Sequence, residues 1–169
     1  MSHQEHRDAA PESVGVAVIT ISDTRDPTTD ESGQLIKELL AEKGHEIVFY
    51  AIVRDSPRQI KGELAILGER SSCRAIILNG GTGIAPRDTT FDALTGILDK
   101  RLDGFGEIFR YLSYQEIGAA AIMSRALAGV YRGRIVISLP GSTNAVRLGM
   151  EKLVLPELAH MVGTISPRL

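Results

Sequence analysis

The amino-acid sequence predicts an α/β protein in which a mostly parallel sheet carries helices on both faces. Nearly continuous apolar runs, such as VGVAVITI at residues 14–21, are typical of strands that are buried on both sides. Segments with apolar residues at helical spacing lie between these runs along the chain. This alternation indicates parallel strands joined by helical crossovers. The length of 169 residues, without a repeat or a linker, fits one domain, which we expect to span 14–163.

The first half of the sequence predicts three strands and two helices. Gly44 follows the first helical segment and is the residue type that most often ends a helix. Ser56 and Pro57 are the types preferred at the N-cap and at the first position of the second helix. The predicted elements are a strand at 14–21, a helix at 34–43, a strand at 45–53, a helix from Pro57 and a strand at 74–78.

The second half predicts further helices and one more buried strand. Asp88 or Thr89 can cap the helix that follows the third strand. Between residues 100 and 130 the pattern is helical with glycine interruptions, and we expect its alanine-rich part at 117–127 to pack closely. The remaining predicted elements are a strand at 133–139, a helix from about Ala145 and a last helix from Pro156 to about Gly163.

Composition and charge argue against several classes of partner. The formal net charge is −2, so no overall positive field would recruit nucleic acid or an anionic membrane. No apolar stretch approaches the roughly 20 residues of a membrane span. The polar N-terminus lacks an apolar signal core, and we therefore expect a cytoplasmic protein.

The chain ends and the single cysteine carry little chemistry. We expect flexible tails at 1–13 and 164–169. The HQEH sequence in the first tail could suggest a metal site, but a solvated tail lacks the scaffold that a ligand set needs. Cys73 stands just before an apolar run and is expected to be buried and inert.

Three polar loops follow predicted strands, at 22–33, 79–90 and 140–144. Ligands of open parallel sheets bind beyond the carboxyl ends of the strands, so adjacent strands would bring these loops around one pocket. The candidate ligand-binding residues are Ser22, Asp23, Asn79, Gly80, Gly81, Thr82, Gly83, Arg87, Pro140, Gly141, Ser142, Thr143 and Asn144. Arginines that could add positive charge for an anionic ligand are Arg110, Arg125 and Arg147.

The second loop, NGGTGIAPRDTT, has the features of a phosphate site. Its three glycines permit positive φ and let backbone N–H groups approach an anion, and the following helix adds a partial positive charge. A tight turn without a ligand is the alternative. The loop lacks the Gly-Lys-Ser/Thr ending of a P-loop. Pro86 occupies the position where the dinucleotide fingerprint requires a small residue.

Asp88 introduces a conflict, because a carboxylate beside an anion-binding loop repels phosphate unless a cation lies between them. Mg²⁺ binds through one or two carboxylates together with substrate phosphates. Asp88 is therefore a candidate Mg²⁺ ligand, with a helix cap as the alternative, and Asp55 is a second candidate carboxylate. For Asp30, which leads into the first helix, a capping role is the simpler interpretation.

The sequence resembles the family of molybdenum cofactor biosynthesis proteins called MoaB and MogA. The motifs that carry the resemblance are TISDT, DESG, NGGTG with PRDTT, FRYLSYQEIG, MSRALAG and LPGSTNAV. The resemblance implies a three-layer α/β/α fold, a homo-trimer or homo-hexamer, and sites for molybdopterin and a nucleotide. It also implies that molybdopterin is adenylylated, with ATP as co-substrate and Mg²⁺ required, and that Asp88 and Asp55 match the family's catalytic acids.

Two branches of this family differ in the late loop. Many adenylyltransferases of the family have PGNPNA there, whereas this chain has PGSTNA at 140–145 and resembles the MoaB branch more closely. The resemblance therefore leaves two functions open: catalysis of adenylylation, or binding of molybdopterin or a nucleotide without turnover. A related domain of competence-damage hydrolases has GGLGPTxDD in the glycine loop and is less similar to GGTGIAPRD.

Overall fold

A computed structural model describes residues 10–166, in which six strands form a single sheet. The strands are β1 (Gly15–Ile21), β2 (Glu46–Val53), β3 (Ala75–Asn79), β4 (Lys100–Arg101), β5 (Leu127–Tyr131) and β6 (Arg134–Leu139). Their order in the sheet is β2-β1-β3-β6-β5-β4. The first four of these are mutually parallel, and β5 and β4 are antiparallel additions at one side. The predicted mostly parallel sheet is confirmed.

Helices cover both faces of this sheet and make the three layers that were expected. They are α1 (Glu31–Glu42), α2 (Pro57–Glu69), α3 (Thr90–Thr95), α4 (Asp103–Ile117), α5 (Thr143–Gly149) and α6 (Leu155–Ile165). Side chains of α1, α4, α5 and α6 pack on one face, and side chains of α2 and α3 pack on the other.

The strands read as continuous apolar runs because both of their faces are buried. Val16 and Val18 point into the core beneath α1, whereas Ala17 and Ile19 point into the core beneath α2. All four are fully buried. Burying one aliphatic side chain of this size contributes about 1.5–3 kcal/mol, so the two cores hold the parallel strands in a fixed register.

The prediction for residues 100–130 was wrong in three respects, the first being that Lys100–Arg101 form the short strand β4. Residues Leu127–Tyr131 form the antiparallel strand β5, and Gly118–Met123 form a 3₁₀-helix rather than a closely packed segment. Ile122 is 80% exposed and Met123 is 53% exposed. The hairpin between β5 and β6 turns on Arg132 and Gly133, both with positive φ, which matches the right-handed twist of the strands.

The last two helices form one continuous helical run. A π-helical turn, Met150–Val154, joins α5 to α6. Pro156 has no backbone N–H, and the wider turn before it accommodates a residue that would otherwise interrupt an α-helix. The run ends at Ile165, two residues beyond the predicted end.

Residues 10–13 belonged to the predicted N-terminal tail, yet Ser13 Oγ donates a 2.8 Å hydrogen bond to the carbonyl of Gly44. The HQEH sequence lies outside the described residues. Cys73 is fully buried, and burial raises the pKa of its thiol, as expected for an inert cysteine. No helix within residues 10–166 is long and apolar enough to cross a membrane.

Candidate functional site

The three polar loops meet because β1, β3 and β6 are neighbours in the sheet. The N–H of Gly80 donates a 3.0 Å hydrogen bond to the carbonyl of Leu139, which joins the glycine loop to the end of β6. Ser32 Oγ donates a 2.8 Å hydrogen bond to the carbonyl of Gly141, which joins the first loop to the late loop. The loops therefore form one continuous surface at the carboxyl edge of the sheet.

Only glycine fits two positions of the glycine loop. Gly80 and Gly81 have φ of 100° and 64°. A Cβ on Gly80 would lie 2.3 Å from the carbonyl oxygen of Ile21, and a Cβ on Gly81 would lie 2.1 Å from Thr90 Oγ1. Both the conformation and the close approach exclude other side chains here.

In the centre of the glycine loop, the carbonyl groups of residues 81–83 accept hydrogen bonds, whereas the N–H groups of residues 81–84 remain available. The carbonyl of Gly81 accepts a hydrogen bond from the N–H of Thr90 at 3.0 Å, and Arg125 donates to the carbonyls of Thr82 and Gly83. The N–H groups of residues 81–84 donate no hydrogen bond to another residue in the range 10–166. Consecutive free N–H groups of this kind form the concave anion sites called nests.

Asp88 closes the turn at the end of the glycine loop. Its Oδ2 accepts a 3.0 Å hydrogen bond from the N–H of Ala85 and lies 2.5 Å from the point where a Cβ on Gly83 would stand. Its Oδ1 accepts no hydrogen bond from the part of the chain that the structure describes. One carboxylate oxygen of Asp88 is therefore available to a ligand, and Asp88 does not cap α3.

Asp55 caps α3 from the neighbouring loop. Its Oδ1 accepts hydrogen bonds from Thr89 N at 3.1 Å and from Thr89 Oγ1 at 2.7 Å, and it lies 3.4 Å from Thr90 Oγ1. Its Oδ2 accepts none from residues 10–166. The sequence pointed to Asp55 as a functional acid, and the structure adds a capping role, because Thr89 makes no side-chain cap of its own.

A cleft of about 180 Å³ lies against the glycine loop. The residues that line it are Ile21, Ser22, Asp23, Thr24, Asp55, Gly81, Arg87 and Asp88. Five of the predicted ligand-binding or catalytic positions from the first two loops and one further acid, Asp55, therefore share one cavity. Arg87 is the only arginine among these lining residues, and its cationic group can offset part of the carboxylate charge.

A wider pocket of about 530 Å³ continues from this cleft and shares Ser22 and Asp23 with it. It is lined additionally by Arg25, Arg54 and Tyr50. Ligand pockets of proteins commonly have volumes of about 300–1,000 Å³, so this pocket can hold a small organic molecule beside the cleft that borders the glycine loop.

A buried polar network supports the floor of the site. Asp30 is 2% exposed and accepts hydrogen bonds from Thr20 Oγ1 at 2.6 Å, Tyr50 OH at 2.7 Å and the N–H of Gly33 at 3.0 Å. Burial alone would raise the pKa of Asp30, but these hydrogen bonds and the Arg25 guanidinium outweigh burial and lower it. Burial and the Asp30 carboxylate raise the pKa of the Tyr50 phenol. The predicted capping role of Asp30 is confirmed by its bond to Gly33.

Two predicted ligand-binding residues, Asn79 and Thr82, have buried side chains and are not among the residues that line the two cavities. Asn79 is fully buried and donates a 2.9 Å hydrogen bond to Thr20 Oγ1. Thr82 is 4% exposed. The burial of these two side chains argues against their direct contact with a ligand. Asn79 connects the glycine loop to the network around Asp30, a role that its position before the glycines did not reveal.

The late loop contributes through its backbone. Gly141 packs against Gly80, and a Cβ on Gly141 would lie 3.1 Å from the Cα of Gly80. Ser142 Oγ accepts a 3.3 Å hydrogen bond from the N–H of Ala145 and so caps α5. Pro140, Thr143 and Asn144 are not among the residues that line the two cavities described above.

The three candidate arginines have different surroundings. Arg147 forms an exposed ion pair with Glu151 at 2.9 Å, and Arg110 lines a separate cavity of about 60 Å³ near α3 and β5. Arg125 contacts the glycine loop itself. Only Arg125 therefore remains connected to the site.

Comparison with known proteins identifies the family to which this architecture belongs. The family described as "Probable molybdopterin binding domain" matches residues 17–160. The chain belongs to this family, which includes MoaB and MogA. It is 53% identical to molybdenum cofactor biosynthesis protein B of Halalkalibacterium halodurans, over 98% of both chains.

Solved structures of this family share the fold. A crystal structure of molybdenum cofactor biosynthesis protein B has a TM-score of 0.89 and 46% identity, with 92% of this chain and 98% of that chain covered. A structure named MogA has a TM-score of 0.80 and 27% identity, with 91% and 99% covered. The MoaB/MogA family predicted from the sequence motifs is therefore confirmed.

Proposed function

We propose that this protein acts in molybdenum cofactor biosynthesis, where it binds molybdopterin and adenylylates it with Mg-ATP. Membership of the MoaB/MogA family supports the pathway and the pterin. The observation that carries the nucleotidyl transfer is the glycine loop, in which the N–H groups of residues 81–84 have no partner within residues 10–166 while the carbonyls of residues 81–83 accept hydrogen bonds. Such a loop binds phosphate oxygens without a lysine.

The reaction needs positioning and charge neutralisation more than a covalent nucleophile. The terminal phosphate oxygen of molybdopterin attacks the α-phosphorus of ATP. A new P–O bond forms, the bond between the α-phosphorus and the bridging oxygen breaks, and pyrophosphate leaves with that electron pair. The attacking phosphate is already an anion, so no side chain has to remove a proton. The N–H groups of the loop and Arg87 offset the negative charge of the phosphates.

The carboxylates of Asp88 and Asp55 fit a magnesium ion that arrives with the nucleotide. Each has one oxygen that accepts no hydrogen bond within residues 10–166, and both line the cleft beside the glycine loop. No group of three or more His, Cys, Asp or Glu in that range could hold a metal ion by itself. Bound Mg²⁺ would supply positive charge at the phosphates, since it typically uses one or two carboxylates and substrate oxygens.

Mixing the purified protein with molybdopterin and Mg-ATP tests this function directly. We expect pyrophosphate and adenylylated molybdopterin in equal amounts, with no product when Mg²⁺ is chelated. A parallel reaction with Mg-GTP identifies the nucleotide. Pterin binding without any product under these conditions would contradict catalysis.

Binding without turnover is the second candidate function. The specific observation in its favour is that both carboxylates also have a structural task, since Asp55 caps α3 and Asp88 closes the turn of the loop. A protein that only binds molybdopterin or a nucleotide would also need Asp55 to cap α3 and Asp88 to close the turn of the loop. The reaction above distinguishes the two functions, because only the enzyme releases pyrophosphate.

We also propose that the protein works as a homo-trimer or homo-hexamer. Helix α4 and the 3₁₀-helix that follows it expose apolar and aromatic side chains, each more than half exposed, namely Ile108, Tyr111, Tyr114, Ile117, Ile122 and Met123. Exposed apolar patches of this kind commonly mark protein interfaces. Light scattering coupled to size-exclusion chromatography measures the assembly, and a monomer across the micromolar range would contradict the proposal.

A further inference from the structure

Arg125 holds the glycine loop by its carbonyl groups. Its Nε donates a 2.9 Å hydrogen bond to the carbonyl of Thr82, and its Nη2 donates to the carbonyl of Gly83. The guanidinium thus uses two N–H donors of one edge on two consecutive carbonyl groups. These contacts join the segment before β5 to a loop more than forty residues earlier in the chain.

The same guanidinium is itself fixed on the other side. Nη1 lies 3.2 Å from Oδ1 of Asp92 on α3, and the guanidinium carbon lies 4.6 Å from the centre of the Phe91 ring. The side chain of Arg125 is 24% exposed, whereas that of Asp92 is 68% exposed. Arg125 is therefore an anchored group that fixes the loop, and its charge is not free to contact a ligand.

Peptide geometry converts this anchoring into an orientation of the N–H groups. In a trans peptide the carbonyl of one residue and the N–H of the next point in opposite directions. Because Arg125 holds the carbonyls of Thr82 and Gly83, the N–H groups of Gly83 and Ile84 must point away from it. The N–H of Thr90 imposes the same constraint on the N–H of Thr82 through the carbonyl of Gly81.

We infer that Arg125 is a positioning residue that sets the anion-binding conformation of the glycine loop. It does so by holding two loop carbonyls, so that the N–H groups beside them face the opposite side. The expected consequence of this loop conformation is tighter binding of a phosphate group, and in that respect the inference rests on the proposed function. Lysine cannot replace the arginine fully, because a single ammonium group does not reproduce a planar fork aimed at two acceptors.

The test compares Arg125→Gln and Arg125→Lys with Arg101→Gln. Arg101 also pairs with an aspartate, Asp103, at 2.6 Å on the surface, but it contacts no loop carbonyl. The first measurement is the ¹H–¹⁵N NMR spectrum of the ligand-free protein, with the amide signals of Gly81, Thr82, Gly83 and Ile84 assigned. The second is the affinity for inorganic pyrophosphate with Mg²⁺ by calorimetry, and the third is Tm.

We expect Arg125→Gln to shift or broaden the four loop amide signals and to weaken pyrophosphate binding by about tenfold or more, because two charge-assisted hydrogen bonds are lost. The loop amide signals and the pyrophosphate affinity of Arg125→Lys should lie between those of Arg125→Gln and those of the unchanged protein. Both properties of Arg101→Gln should match those of the unchanged protein. Signals at their original positions in Arg125→Gln would overturn the inference. The inference would also be overturned if pyrophosphate affinity fell only in proportion to Tm while the loop amide signals stayed unchanged.

The two readouts separate this inference from the proposed function. If the unchanged protein fails to bind pyrophosphate, the phosphate-binding function is contradicted. The NMR comparison of the ligand-free variants still decides whether Arg125 sets the loop conformation.

Discussion

Replacement of Asp30 by asparagine should destabilise the protein strongly, and more at neutral than at acidic pH. The buried carboxylate accepts hydrogen bonds from Thr20, Tyr50 and Gly33, and Arg25 lies 3.5 Å away. Asparagine keeps the size but replaces one acceptor oxygen with an NH₂ group that faces donors. A hydrogen bond to a charged group contributes about 1.5–3 kcal/mol, and a buried donor left without a partner costs a further 1–3 kcal/mol or so. We expect the free energy of unfolding at pH 7 to fall by about 3 kcal/mol.

The pH dependence of this loss follows from the lowered pKa of Asp30. A carboxylate whose pKa is lower in the folded than in the unfolded state adds stability above the unfolded pKa, which is about 3.9 for aspartate. That contribution disappears as the pH falls through the folded pKa. The difference between the unchanged protein and Asp30→Asn should therefore be largest above pH 5 and should narrow below about pH 4.

Urea unfolding followed by circular dichroism at pH 7, 5, 4 and 3 measures this difference. Asp103→Asn is a matched control, because its carboxylate forms only an exposed ion pair with Arg101 and should change stability by less than about 1 kcal/mol. The reasoning is refuted if Asp30→Asn loses no more stability than the control at pH 7. It is also refuted if the loss stays constant from pH 7 to pH 3 while the protein remains folded.

Four further predictions concern the site and the surface. Asp88→Asn should lower the rate of adenylylation by about 100-fold, the size expected when the Mg²⁺ that offsets the phosphate charge loses a ligand, with molybdopterin affinity within a few-fold; an unchanged rate would remove Asp88 from the mechanism. Gly81→Ala should lower the free energy of unfolding by about 2 kcal/mol, measured in urea, because its φ is 64° and its Cβ would lie 2.1 Å from Thr90 Oγ1; a neutral effect would contradict this geometry. Ile122→Glu should reduce the assembly measured by light scattering, and an unchanged mass would place the interface elsewhere. Cys73 should react with a thiol reagent only in denaturant, and rapid reaction of the native protein would contradict its burial.

The parallel part of the fold could be predicted because its signals are local. Each parallel strand is an apolar run, and Gly44 and Pro57 mark where neighbouring helices end and begin. The antiparallel part could not, because its turn has no Asn-Gly or Asp-Gly pair; Arg132 adopts a positive φ that nothing in its own chemistry favours. Alanine and glycine in LAGVY also weaken the strand signal of β5.

The candidate site could be predicted in outline but not in detail. Strand order is set by long-range packing, yet the polar segments after β1 and β3 could be recognised, and they do line one cleft. The inward position of Asn79 depends on its register opposite Thr20, which no local pattern encodes. The hydrogen bonds that Thr89 donates to Asp55 and that Arg125 donates to Thr82 span 34 and 43 residues, so no local sequence pattern indicates either pairing.

The shortness of β4 has a consequence for how copies of the chain can associate. This strand has only two residues, Lys100 and Arg101, both exposed and positively charged, and it forms one outer edge of the sheet. A brief, charged edge gives a second chain almost no backbone groups to pair with, and like charges would meet if two such edges approached. Growth of the sheet from one molecule into the next is therefore opposed on this side. A contact between two copies on this side would have to form through side chains, because the edge offers almost no free backbone groups for an added strand.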